Sequence, residues 1–149
     1  MGLIDADIYG PSIPLMFDAE QEKPKVIRKN NHSLMSPIIS YGIKIMSIGF
    51  FSNPSEAIVW RGPMATKALK QIITQTDWGE LDYLLIDLPP GTGDIHLSLV
   101  QTIALTGAII VTTPQPVSLV DAKKAINMFK MKNINYLLLF HNDNHILKD

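Results

Sequence analysis

The chain has 149 residues, 46% of them hydrophobic, which is enough apolar material for a single domain with its own core. Thirteen Lys and Arg against fourteen Asp and Glu leave a formal charge of -1, which excludes a surface built as a whole to coat nucleic acid or anionic lipid. There is no cysteine, so this chain cannot form a disulfide or supply thiolate ligands to zinc or to an iron–sulfur cluster.

The chain opens MGLIDADIYG, with no basic segment running into an apolar stretch, so a cytoplasmic setting is expected rather than secretion. Its apolar runs are far shorter than the ~20 residues that span a bilayer, and no membrane partner is expected. Residues 2–5 read as a buried strand starting almost at the first Met. Residues 10–37 are rich in Pro, Lys, Asn and Ser without a clear period, and read as an irregular surface excursion. Within them Lys23, Lys25, Arg28 and Lys29 form either a solvated face or a binding patch.

A strand is expected over 43–48, a helix over 64–76, a strand over 83–87 and a helix over 95–104. A strand over 108–112, a helix over 118–131 and a strand over 136–140 follow. Ala65, Leu69, Ile72 and Ile73 in the first helix, and Val120, Ala125, Met128 and Phe129 in the last, fall at core-packing spacing. This alternation predicts an α/β fold, a mostly parallel sheet flanked by helices. There is no internal repeat.

Three segments can carry chemistry. LLIDLPPGTGD, over 84–94, places Asp87 at the C-terminal edge of a parallel sheet, where open α/β folds bind ligands and where one carboxylate suffices for magnesium held mainly by phosphates and water. Paired prolines then stiffen the exit, and Gly91 and Gly93 let backbone N–H groups approach an anionic oxygen closely. The same residues also suit a rigid turn in which Asp94 caps the next helix. Asp5 and Asp7 end another apolar strand and point the same way, placed either to orient water and support hydrated magnesium or to close the strand with an Asx turn. Arg61, in VWRGPM, is suited to a phosphate or to a surface ion pair, and the turn TTPQP over 112–116 to a base or to a simple strand-to-helix connection. His32, His96, His141 and His145 are scattered without ligand spacing.

Taken in order, DADIYGPSIP, GIKIMSIGF, WRGPM, DWGELDYLLIDLPPGTGD and VTTPQPVSLVDA resemble the Mrp/ApbC group of deviant-Walker P-loop ATPases, from Gly2 to about Asn133. The resemblance implies a cytosolic, homodimeric carrier that binds and hydrolyses ATP with magnesium and transfers 4Fe-4S clusters to apo iron–sulfur proteins. It implies that Asp87 is the Walker B magnesium carboxylate and that Gly91, Thr92, Gly93 and Asp94 form the second switch. It further implies that Asp7 orients the hydrolytic water with Asp5 in support, and that Asn142 contacts adenine. The family's first strand with its lysine-bearing P-loop helix is missing here, as is its Cys-x-x-Cys pair, and residues 136–149 form an atypical tail. The expectation is therefore a single partial P-loop domain over 1–149, inactive in isolation, with unpaired edges on the strands that flank the missing one. A positioning or partition-type ATPase switch, and a non-catalytic remnant, are the alternatives.

Overall fold

The computed structural model describes residues 1–29, 31–51 and 62–141. Eight strands and four α-helices are found among them, in the order β1 (Gly2–Asp5), α1 (Ile13–Met16), β2 (Lys25–Lys29), β3 (His32–Ser36), β4 (Ile38–Ser40), β5 (Ile43–Ser47), α2 (Gly62–Thr74), β6 (Leu84–Asp87), α3 (Asp94–Thr102), β7 (Ala108–Thr112), α4 (Pro116–Met131) and β8 (Tyr136–Phe140). The chain divides into two compact units, Met1–Pro90 and Gly91–Asp149.

The first unit holds a four-stranded sheet in the order β4-β5-β1-β6. β1 runs parallel to both β5 and β6, and β4 closes the far edge antiparallel to β5. Apolar residues fill β1 because it is covered on both faces, and every one of its residues is buried. Leu3, Ile13, Ala19, Ile38, Ile45 and Phe50 form one cluster around it. In α2 the stripe Ala65, Leu69 and Ile72 is buried, at the spacing the sequence predicts. β6 pairs with β1 alone among the described residues.

Residues 10–37 are not the irregular excursion expected from composition. They hold the short helix α1 and the antiparallel hairpin β2–β3, registered from Lys25 opposite Ser36 to Lys29 opposite His32. Asn31 accepts the left-handed conformation at the hairpin tip (φ 62°), which Asn tolerates better than most side chains. Met35 anchors the hairpin: its N–H donates to the Gln75 carbonyl at 2.7 Å, and its own carbonyl accepts the Asp77 N–H at 2.8 Å. The β4–β5 turn is also tight, with Tyr41 and Gly42 both at positive φ (49° and 76°), the conformation that suits a two-residue hairpin loop.

In the second unit β7 and β8 pair in parallel from Ala108 opposite Tyr136 to Thr112 opposite Phe140. Ile110, Ala122, Met128 and Phe129 form its core, with Val100, Leu105, Ile126 and Leu138 packed against them. No helix among the described residues is long and apolar enough to cross a membrane. Leu69, with 0% of its surface exposed, sits at the centre of the α2 stripe. Replacing it with Ala is expected to lower stability by about 2–5 kcal/mol, and Lys70→Ala on the exposed side by less than ~0.5 kcal/mol, both read as shifts in the urea midpoint.

Candidate functional site

The parallel register of β5, β1 and β6 sets Ser47, Asp5 and Asp87 at one level: Asp5 lies opposite Ser47 on one side and opposite Asp87 on the other. All three end their strands at the C-terminal edge, where the chain leaves the sheet.

Asp5 is fully buried, and each of its oxygens is engaged. Its Oδ1 accepts the Asp7 N–H at 3.2 Å, while its Oδ2 accepts the Ile13 N–H at 3.2 Å and the Ser47 hydroxyl at 2.9 Å. Ser47 Oγ in turn accepts the Gly49 N–H at 2.9 Å. One carboxylate thus fastens the start of the loop after β1, its end at α1, and the exit of β5. Burial raises the Asp5 carboxyl above its ordinary value of 3.8; the hydrogen bonds from Ser47, Asp7 and Ile13 oppose the rise, and the charge of Asp87 adds to it.

Asp7 is half-buried, two residues further on. Its Oδ1 accepts the N–H groups of Tyr9 and Gly10, at 3.1 and 3.2 Å. Both aspartates therefore make the backbone bonds of an Asx turn, and in Asp7 these use one oxygen only. Asp87 is exposed and neither of its oxygens accepts a hydrogen bond among the described residues, while its backbone carbonyl takes the Ala6 N–H at 2.8 Å. Desolvation, and then the charge of Asp7, raise its carboxyl above the ordinary 3.8. Among the described residues no three His, Cys, Asp or Glu side chains converge as a ready-made metal site.

In the second unit, Gly91 takes φ +98°, a conformation open to glycine, and a Cβ at either Gly91 or Gly93 would meet nothing within 4 Å. The requirement at Gly91 is thus conformational rather than steric. Thr92 is half-buried. Gly93 is the N-cap of α3 and Asp94 its first residue. The turn after β7 serves as a strand-to-helix connection, with Gln115 as N-cap, Pro116 opening α4, and the Thr113 hydroxyl donating to Ser118 Oγ at 2.9 Å. Arg61 and Asn142 lie outside the described residues.

Sequence reasoning passed over Ser47. Its signal was available: a small polar residue ending an apolar strand in GIKIMSIGF, at the same sheet edge as the aspartates.

A mostly parallel sheet whose C-terminal edge carries two acidic strand ends, in a chain that alternates strands with helices, defines an α/β protein. The chain belongs to the ParA family described as NUBPL iron-transfer P-loop NTPase, whose family model matches residues 1–148. It is 50% identical to the iron–sulfur cluster carrier protein of Escherichia coli over 142 residues, 95% of this chain and 38% of that protein. It is also 50% identical to the iron–sulfur cluster transfer protein NUBPL of Dictyostelium discoideum, over 95% of this chain and 43% of that one. The solved structure of a nucleotide-binding protein from Archaeoglobus fulgidus in complex with ADP superposes with a TM-score of 0.73 at 37% identity, covering 92% of this chain and 51% of that chain. The chain thus spans about two-fifths of the length of these carrier and transfer relatives.

A carboxyl whose folded-state pKa lies above its unfolded value binds more protons folded than unfolded, so its contribution to stability falls as pH rises from about 4 through the raised value. Asp5 and Asp87 both have this sign. Unfolding free energy measured by urea across that range is therefore expected to decline more gently with pH in Asp5→Asn than in the parent chain. Ser47→Ala, which removes one of the bonds to a buried carboxylate, is expected to cost about 1–3 kcal/mol in the same assay above that range.

Proposed function

We propose that this chain is part of an ATP-binding and hydrolysing iron–sulfur cluster carrier that delivers clusters to apo iron–sulfur proteins. One observation carries the reading: the parallel register sets Asp5 opposite Asp87 at the C-terminal edge of the sheet, with Asp7 two residues beyond Asp5. The names and identities of the relatives agree with it.

Magnesium fits this edge. Asp87 offers hard oxygen donors without a protein partner among the described residues, and a divalent cation relieves the repulsion between neighbouring carboxylates. In this reading Asp87 holds the ion through few protein oxygens, the remaining sites being water and nucleotide phosphate. The ion's role is to neutralise charge on the phosphates during transfer.

In this reading the second oxygen of Asp7, left without a hydrogen bond among the described residues, orients water, and Asp5 acts through the loop it holds rather than on the nucleotide. Gly91, Thr92, Gly93 and Asp94 follow Asp87 in the chain and serve as the switch responsive to the terminal phosphate, with Asn142 contacting adenine. The cluster is cargo, and its thiolate ligands come from outside these residues, since the chain has no cysteine. The working form is a cytoplasmic homodimer of the intact protein.

The test exchanges this chain's matching residues into the Escherichia coli carrier protein. The chimera is expected to hydrolyse ATP and to pass a reconstituted cluster to an apo acceptor, followed by visible circular dichroism. Asp87→Asn in that chimera is expected to lower hydrolysis by ~100-fold or more. A folded chimera that binds no nucleotide and transfers no cluster overturns the proposal and leaves the non-catalytic reading.

A further inference from the structure

Between the β2–β3 hairpin and α2 runs an open groove of about 620 Å³, a volume in the range of ligand clefts. It belongs to the first unit and is separate from the carboxylate edge: no residue of β1 or β6 lines it. Val26 and Met35 face each other across the hairpin and form one wall, with Ser33 on the same face by two-residue alternation. On α2 the lining residues Met64, Lys67, Ala68 and Gln71 recur at three- and four-residue spacing, so they form one stripe along the helix, and Gln75 lines the groove just beyond its end.

The apolar lining is unusually accessible for core material. Val26 is 74% exposed, Met64 55% and Phe51 41%. Methionine on both walls makes the surface adaptable to a partner side chain.

Charge says what kind of partner. Lys67 lines the groove, and Arg28, opposite Ser33, extends the hairpin wall on the same face. Neither forms an ion pair among the described residues, whereas Lys29 is held by Asp77 at 2.9 Å. No Asp or Glu occurs between Lys23 and Ser55, nor from Ala57 to Thr76, so both walls carry cations and no anion. An apolar groove rimmed by uncompensated cations complements an acidic segment bearing bulky aliphatic side chains.

We infer that this groove docks a short acidic, amphipathic peptide segment of a partner protein, with apolar side chains in the cleft and carboxylates on Arg28 and Lys67. The inference stands independently of nucleotide chemistry, because it needs only the first unit's surface.

The experiment follows backbone amide shifts of the isotope-labelled chain during titration with a synthetic helical peptide carrying Leu at three- and four-residue spacing and Glu elsewhere. Saturable shifts confined to β2, β3 and α2 are expected. Arg28→Glu with Lys67→Glu is expected to weaken binding about fivefold to tenfold, as two exposed ion pairs allow, and to reverse the preference toward a peptide with Lys in place of Glu. Ala68→Trp fills the cleft and Met64→Glu charges its exposed rim. Each is expected to abolish the shifts, and far-ultraviolet circular dichroism identifies any variant lost to misfolding.

Four results overturn the proposal. One is the absence of shifts, as when the chain's own residues fill the cleft, and another is shifts spread over other elements. Equal binding of a peptide with Ser in place of Leu reduces the contact to charge alone. Binding of a small apolar dye in the cleft without binding of the peptide marks a small-molecule site instead.

Discussion

The buried carboxylate of Asp5 is the interaction on which the first unit's functional edge depends. Ionised carboxylates are costly to bury unless their lone pairs are satisfied. Here backbone N–H groups from both ends of the following loop and one hydroxyl from the neighbouring strand do so. The loop geometry and the burial of the charge therefore support each other. Asp7 owes its place to this arrangement, since its own N–H is one of the donors. Ser47 extends the network to Gly49, tying the exits of β1 and β5 together.

That network separates two aspartates which look equivalent along the chain. Asp5 is spent on backbone N–H groups and the Ser47 hydroxyl, whereas Asp7 keeps one oxygen without a hydrogen bond among the described residues. A carboxylate that orients others is needed most where like charges are brought together, because repulsion would otherwise open the loop. The raised carboxyls of Asp5 and Asp87 record that repulsion, together with the larger effect of burial.

Basic and apolar character are concentrated elsewhere in the same unit. The lysines and arginine at 23–29 look like a solvated loop in one dimension, yet pairing folds them into a ribbon with two faces. One face carries Lys29, bound to Asp77, and the other carries Arg28 and Val26, of which Val26 lines the groove beside α2. Net charge near zero thus conceals a strong local separation, acidic at the sheet edge and cationic at the hairpin.

Much was legible without coordinates. Short runs of Ile, Leu and Val between amphipathic stretches locate five strands and three longer helices, because buried parallel strands and core-facing helices leave distinct periods. The acidic ends of β1 and β6 were visible too, since polar residues interrupt apolar runs where a strand leaves the core. The hairpin was hidden because KVIRK and HSLMS are mostly polar and partnered by each other rather than by a core, although the Asn pair between them is a turn signal. What only tertiary structure decided was which residues stand side by side. The register that sets Ser47 and Asp87 on either side of Asp5 joins positions dozens of residues apart, and no local period encodes it. The sequence by itself determined that carboxylates sit at the sheet edge, and only the tertiary structure decided which of them is buried as an anchor and which is left exposed.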